Sequence, residues 1–444
     1  MSETKTDQKS SSGVGARAAA ARAVTGVMDK HLTLDAALAS APVYKDLAPR
    51  DRAFARLIAA TTLRRMGQID AALKPYINRP PSPYAHALLR TGAAQLLFLG
   101  TPVHAAVGES VSVLKRSRSK GDVRAAGMAN AVLRRVSEHG AEHIKDIPDE
   151  TNLPDWLQQS WRKAYGQDAL RSMAWEITKS PPLDISVKSD PEKWAQAIEG
   201  EVLSTDSVRK SDIGNVTALA GFETGDWWVQ DVSAALPVYI VQKLLGDLTG
   251  KTALDMCAAP GGKSLQLAAA GAEVTALDRS PERLKLMEKN LERTGLSAKC
   301  IAADAAKWRG LEDNSFDIVL LDAPCSATGT MRRNPDVMFN KSPKDVKSLT
   351  AVQDRLLLAA TRQLKPSGTL IYCTCSLEQE EGEQRIRHFL RAKPDFRLIP
   401  LLDSFSSSME LGASREGYLR ALPHFLGGKG GMDGFFIAIM RRNV

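Results

Sequence analysis

Three short stretches carry the groups able to do chemistry. Asp322-Ala-Pro-Cys-Ser closes the apolar run Phe316-Asp-Ile-Val-Leu-Leu, so a carboxylate and the Cys325 thiol fall where a buried strand gives way to a loop. Thr374-Cys375-Ser376 closes a second apolar run, Thr369-Leu-Ile-Tyr-Cys. Two strand-end thiols and a strand-end acid suit a thiol chemistry that needs a proton managed beside the sulfur. The third stretch, Leu254-Asp-Met-Cys-Ala-Ala-Pro-Gly-Gly-Lys-Ser, reads as strand, glycine turn and helix start. Gly261 and Gly262 remove side chains where a ligand could approach the backbone. The turn is neither a G-x-G-x-x-G fingerprint nor a phosphate-binding P-loop.

Spacing sharpens the third stretch. Asp278 ends the next strand, 23 residues after Asp255, where a carboxylate can bind ribose hydroxyls as it does in dinucleotide folds. Asp304 and Asp322 end the third and fourth strands. Any one of these acids could be a helix cap or a turn residue. Together, behind a glycine turn, they point to a nucleoside ligand. The five cysteines, 257, 300, 325, 373 and 375, are odd in number and confined to one part of the chain, which argues against a disulfide framework. Cys373 and Cys375 have no neighbouring His or further Cys, so no metal site is expected.

The elements that must hold these groups follow from pattern. From Gly225 onward, apolar strands at 252–256, 274–277, 300–303, 318–321, 370–372 and 435–440 alternate with helical stretches such as 281–293 and 349–364. That alternation predicts an α/β domain over 225–444 with a parallel, doubly wound sheet. Residues 150–224 mix a helix, with Trp156 and Trp161 in its core, and an alternating strand over 181–188, so a small α+β domain is expected there. Residues 16–145 read as an all-α bundle of five to seven short helices, because alanine-rich runs favour helix and 85–99 carries Leu at helical spacing. Residues 1–15 are polar and are expected to form a disordered tail, and 141–150 a linker.

Charge is distributed unevenly. The chain carries +8 overall, and residues 1–150 alone hold 22 Lys and Arg against 14 Asp and Glu, the whole of that excess. A positive front predicts a polyanionic partner, most simply nucleic acid. Arg64-Arg65, Lys115-Arg116-Ser-Arg118 and Arg134-Arg135 are its basic clusters, and Arg332-Arg333 after the Pro-Cys loop is a further candidate phosphate contact. No apolar run approaches the roughly 18 residues of a membrane span, and the first residues lack an apolar signal segment. A cytoplasmic monomer without membrane or metal partners is expected.

Taken together, Asp-Met-Cys-Ala-Ala-Pro-Gly-Gly-Lys, Asp-Ala-Pro-Cys-Ser and Thr-Cys-Ser, in this order and spacing, resemble the RNA cytosine-5 methyltransferases of the NOL/NOP/Sun family. The likeness covers about residues 225–444, including Val229-Gln-Asp-Val-Ser and Gly434-Phe-Phe-Ile-Ala. The front, with Asn130-Ala-Val-Leu-Arg-Arg, resembles a NusB-like RNA-binding domain, and the combination is similar to the bacterial small-subunit rRNA branch of that family. The resemblance implies a Rossmann-like methyltransferase domain that uses S-adenosylmethionine to methylate C5 of a cytosine in RNA, most simply 16S rRNA. It implies Cys375 as nucleophile at C6, Cys325 in product release, Asp322 at N3 and Lys263 in the active site. It places Cys257, Ala258, Ala259, Pro260, Gly261, Gly262, Lys263, Asp278, Asp304 and Asp322 around the cofactor. DNA cytosine-5 methyltransferases instead attack with the Pro-Cys thiol and lack the Thr-Cys-Ser motif. Cys373 and Cys300 are expected to be structural.

The chain departs from the family pattern in three places. Ala327 stands for a usual Gly, Ser186 and Lys188 stand in place of an Arg-Val-Asn ending, and Glu381-Gly382 replaces Glu-Asn. The middle-domain change falls where the resemblance implies a substrate contact. Two rival readings remain open at this level: the same chemistry on tRNA or another RNA, and a non-catalytic RNA-binding assembly factor that keeps the fold.

Overall fold

The computed structural model describes residues 3–308, 314–401 and 416–443. Its contacts divide into two compact units, Met1–Ser180 with Met331–Lys341, and Pro181–Thr330 with Ser342–Val444.

The first unit is helical: α1 (Glu3–Lys30), α2 (Leu34–Ser40), α3 (Pro49–Arg64), α4 (Met66–Leu73), α5 (Pro83–Leu97), α6 (Val103–Lys115), α7 (Lys120–Ile144), α8 (Asp155–Tyr165) and α9 (Gln167–Ile177). Helix α1 buries Ala16, Ala19, Ala20, Ala21 and Ala23, whose small side chains let neighbouring helices approach closely. Arg17 enters that core only because it is paired with Glu109 and lies over the Phe54 ring. Among the described residues seven α-helices precede residue 145, within the expected five to seven, but α1 and α7 are long, at 28 and 25 residues. Helix α1 is continuous from Glu3, and Val14 is already buried against the bundle, so core packing begins before residue 16.

The expected boundaries also differ from the observed division. Helices α8 and α9 group with the bundle because the turn before them is tied to α4. The Gln68 amide donates to Asn152 Oδ1 at 3.0 Å, and Arg65 pairs with Asp149 at 3.0 Å. Trp161 is core, whereas Trp156 is half-buried.

The second unit holds two sheets. The smaller, in the order β2-β3-β1-β4, comprises β1 (Leu183–Val187), β2 (Glu201–Val202), β3 (Val208–Lys210) and β4 (Trp227–Val229), with α10 (Pro191–Ile198) packed on it. It is held by a fully buried, two-pronged ion pair from Arg209 to Asp184 at 2.7 and 2.8 Å.

Helix α11 (Val232–Leu245) leads into the larger sheet. Its elements are β5 (Thr252–Asp255), α12 (Gly262–Ala269), β6 (Glu273–Asp278), α13 (Pro281–Thr294), β7 (Lys299–Ala302), β8 (Phe316–Asp322), α14 (Val337–Asn340), α15 (Pro343–Gln363), β9 (Leu364–Thr374), α16 (Glu383–Ala392), β10 (Phe396–Leu398), β11 (Leu419–Ala421) and β12 (Phe435–Arg442). Helix α14 lies in the segment that packs with the helical unit. The strand order is β10-β12-β9-β8-β5-β6-β7, with β11 also on β12. Strands β5 to β9 are parallel, and β10, β11 and β12 run antiparallel.

The sheet is therefore Rossmann-like but mixed rather than wholly parallel. Both faces are buried. Ala253, Ile318, Leu320, Ile371, Ile437 and Ile439 fill one core, while Leu254, Val319, Leu321, Leu370, Tyr372 and Phe436 fill the other. This is why the strands read as unbroken apolar runs. The chain leaves β5 toward β6 on one side and returns at β8 on the other, so the crevice at the ends of β5 and β8 is the topological switch point where ligands bind.

Candidate active site

Three strand ends build the site. Asp255 closes β5, Asp322 closes β8, and β9 carries Cys373 opposite Asp322 in register before Thr374 ends it. Lys263, one residue into α12, reaches back so that its Nζ donates to Asp322 Oδ2 at 2.7 Å. The lysine side chain is 8% exposed and the Asp322 side chain 32%. Burial alone would drive the Lys263 ammonium toward neutrality. Asp322, foremost among its neighbours through both charge and hydrogen bond, outweighs that, and the lysine pKa stands above its usual value. The site thus holds a permanent cation beside a strand-end carboxylate.

The two thiols meet although 50 residues separate them. Cys325 Sγ lies 3.5 Å from Cys375 Sγ. The contact with Cys375, followed by burial, pushes the Cys325 thiol well above its ordinary value, and the Glu381 carboxylate adds to the effect. Cys325 is consequently held as a neutral thiol. Cys373, two residues from Cys375, faces elsewhere. It is buried, and its thiol donates to Asp322 Oδ1 at 3.6 Å. Burial, reinforced by Asp322, raises its pKa and keeps it a neutral donor. The expected structural cysteine therefore also orients the acid. Cys300, on β7, is only half-buried.

The glycine turn is shaped as a ligand cradle. Gly261 adopts φ +105°, in the left-handed region that favours glycine, and a Cβ there would stand 2.7 Å from Met287 Cγ. Ala258, Pro260 and Gly262 line a 290 Å³ cavity with Asp255, Lys263 and Asp322. Asp278 accepts from the Ala259 amide at 3.2 Å and the Ser280 amide at 2.9 Å, tying the turn to β6. Asp304 behaves differently. Its carboxylate is 55% exposed and caps its own turn through the Ala306 amide. Cys257 is half-buried, and burial followed by three neighbouring acids raises its thiol far above the normal range, so it is no nucleophile. The bare turn, the cavity and the strand-end acids fit a nucleoside cofactor. Among the described residues no cluster of His, Cys, Asp or Glu could hold a metal ion, and no helix is long and apolar enough to cross a membrane.

Several site residues escape a reading of the sequence. Asp255 is wholly buried, accepts from Ser264 Oγ at 2.7 Å, and is pushed up to about 7 by desolvation. Glu381 is also wholly buried and joins the two thiol loops. Neither stands out from a lone acid in sequence. Ala327, where glycine was expected, keeps φ +60°, so the loop retains its left-handed turn with an alanine in it. Ser186 donates to Gln230 Oε1 at 2.9 Å, and Lys188 lines a separate 210 Å³ polar cavity. Two expected RNA contacts are corrected. Arg332 is 1% exposed, and Arg64 is buried against the Arg332 carbonyl, because residues 331–341 pack into the helical unit. Lys115, Arg116, Arg118, Arg134 and Arg135 are exposed.

Comparison with known proteins gives the family and the fold. Residues 243–441 match the family model for 16S rRNA methyltransferase RsmB/F, and residues 15–138 match the NusB family. The chain is 35% identical to ribosomal RNA small subunit methyltransferase B of Xanthomonas campestris pv. campestris, over 98% of each chain. Among solved structures it is similar to PH0851, with a TM-score of 0.75, 24% identity and coverage of 97% of this chain and 99% of the other. It is also similar to NSun6 from Pyrococcus horikoshii with SFG, with a TM-score of 0.55, 20% identity and coverage of 65% and 98%. The two structural likenesses concern the fold.

Proposed function

This chain belongs to the family of ribosomal RNA small subunit methyltransferase B proteins and is an S-adenosylmethionine-dependent RNA methyltransferase, and we propose that it methylates C5 of a cytosine in small-subunit rRNA through a bond from the Cys375 sulfur to C6. The observation that carries this reading is the meeting of Cys325 and Cys375 at 3.5 Å beside an acid–lysine pair.

C5 of cytosine is a poor nucleophile. Addition of the Cys375 thiolate at C6 makes it enamine-like, with charge that must be met at N3. As N3 takes up a proton from solvent, the Asp322 carboxylate, held by Lys263 and Cys373, would accept the N3–H hydrogen bond. S-adenosylmethionine supplies the electrophilic methyl group, with Gly261, Gly262, Asp278 and Asp322 holding it. After transfer the C5 proton leaves and the C6–sulfur bond breaks, with Cys325 assisting. The target base must leave its stack to reach these thiols. The exposed basic residues of the helical unit, including Arg22, Lys30, Arg116 and Arg118 around a 740 Å³ hollow, are suited to RNA phosphates.

The test is methyl transfer from labelled S-adenosylmethionine to protein-free rRNA. C375A should be inactive, and C325A should accumulate a protein–RNA adduct that survives denaturant. Wild-type activity in C375A would overturn the nucleophile assignment. Transfer to tRNA but not rRNA would leave the chemistry standing and remove the substrate.

A further inference from the structure

Glu381 is a buried carboxylate with no place in the chemistry above, yet four donor contacts converge on its oxygens from two segments, and a third segment holds its backbone. The Ser326 amide lies 3.0 and 3.2 Å from its two oxygens, and Ser326 Oγ donates to Oε2 at 2.5 Å. Gln353 Nε2 donates to Oε1 at 3.0 Å and also to the Pro324 carbonyl at 3.0 Å, which spans the Pro-Cys loop from both sides of Cys325. The Glu381 carbonyl accepts from Tyr372 on β9 at 2.8 Å. Ser326 Oγ is in turn 3.0 Å from Ser376 Oγ, next to Cys375. A carboxylate buried this deeply must be satisfied by donors, and the donors here are those that fix the residues flanking each thiol.

We propose that Glu381 is the positioning residue that clamps the Pro-Cys loop onto the Thr-Cys-Ser loop, setting Cys325 against Cys375 for release of the methylated base. The proposal rests on the covalent route given above. In the release step Cys325 hands its proton to the departing Cys375 sulfur as the C6–sulfur bond breaks. The C5 proton passes to the Cys325 thiolate so formed, and its bonding pair restores the C5–C6 double bond. Both cysteines end as thiols. The clamp holds the donor sulfur at the right distance, and the negative charge of Glu381 keeps Cys325 protonated until that moment.

The experiment follows the covalent adduct on protein-free rRNA with the full chain, comparing wild type, E381Q and E381D by rapid quench from pH 6 upward past the alkaline limb of the wild type. Glutamine keeps the shape but removes the charge and two acceptor positions. In E381Q the ratio of adduct lifetime to adduct formation time should rise roughly tenfold or more, the usual scale for a lost supporting contact. Without the nearby anion Cys325 becomes more acidic, so the alkaline limb of adduct release should move to lower pH by about half a unit or more. E381D, which retains the charge, should restore the limb but not the full rate. An E381Q ratio and pH limb equal to wild type overturn the proposal, as does an equal slowing of formation and release. Absence of any adduct in wild type would instead refute the covalent route. If E381Q loses its melting transition, S326A, which deletes one donor, replaces it: a raised ratio supports the clamp and an unchanged one overturns it.

Discussion

The Lys263–Asp322 pair makes an asymmetric demand on stability. Lys263 is almost fully enclosed, while Asp322 keeps about a third of its side chain in solvent. Breaking a buried pair by removing one partner costs about 3–5 kcal/mol, most of it the desolvated charge left behind. Replacing Asp322 by Asn strands the lysine, which has no other partner within salt-bridge distance among the described residues. Discounted for the exposure of Asp322, the cost is about 2–3 kcal/mol. Replacing Lys263 by Met strands the carboxylate instead, but water reaches it and the Cys373 thiol still donates to it, so the cost is about 1 kcal/mol. In a unit of this size, 1 kcal/mol moves the melting temperature by about 2–4 °C. D322N should therefore melt about 4–12 °C below wild type, and K263M within about 4 °C of it. Adding D322N to K263M should cost about 1 kcal/mol or less, because the charge that made it expensive is gone. Thermal unfolding of the four proteins by near-ultraviolet circular dichroism reads the cycle. K263M melting below D322N, or strict additivity, would refute the reasoning.

Three further outcomes follow from the same geometry. Asp255 carries a proton up to about pH 7 in the folded chain, so its burial destabilises the protein progressively as pH rises from about 4 and fully above 7. Urea unfolding should accordingly show D255N gaining about 2–3 kcal/mol on wild type between pH 5 and pH 8, and an equal gap at both pH values would contradict the assignment. A Cβ at Gly329 would sit 2.0 Å from the Gly434 carbonyl oxygen. G329A should displace that loop and lower turnover about tenfold or more while S-adenosylmethionine affinity, read by calorimetry, changes less than about threefold. Ala327, at φ +60°, should yield about 1 kcal/mol when replaced by glycine, measured as a rise in the urea midpoint at unchanged slope.

Much of the molecule is legible in its sequence because short-range physics fixes it. The strands β5, β6, β7, β8, β9 and β12 fall on the expected apolar runs, since a strand buried on both faces has no polar positions. The glycine turn, the strand-end acids and the two loop cysteines are legible by type and spacing. Helix α15 begins at Pro343, six residues before the expected 349. The Ser342–Asp345 capping box that starts it is a local signal, weaker to the eye than the apolar period that follows.

What depends on pairing between distant segments is not legible. Nothing in Gly434-Phe-Phe-Ile-Ala says that β12 runs antiparallel beside β9, and the three-residue strands β10 and β11 are too short to show a period. The sequence supplies two cysteines. Only the adjacency of β8 and β9 brings Cys325 within 3.5 Å of Cys375, while turning Cys373 to Asp322. Arg64 and Arg332 read as surface cations until the packing of residues 331–341 buries them. Glu381 is one acid in Glu-Gln-Glu-Glu, and its role emerges from donors that lie 28 and 55 residues away in the chain. Residue type and periodicity are local properties, so the chain alone fixes which groups could react and which strands carry them. Burial and hydrogen-bond partners are set by segments remote in the chain, so folding selects which of those groups meet.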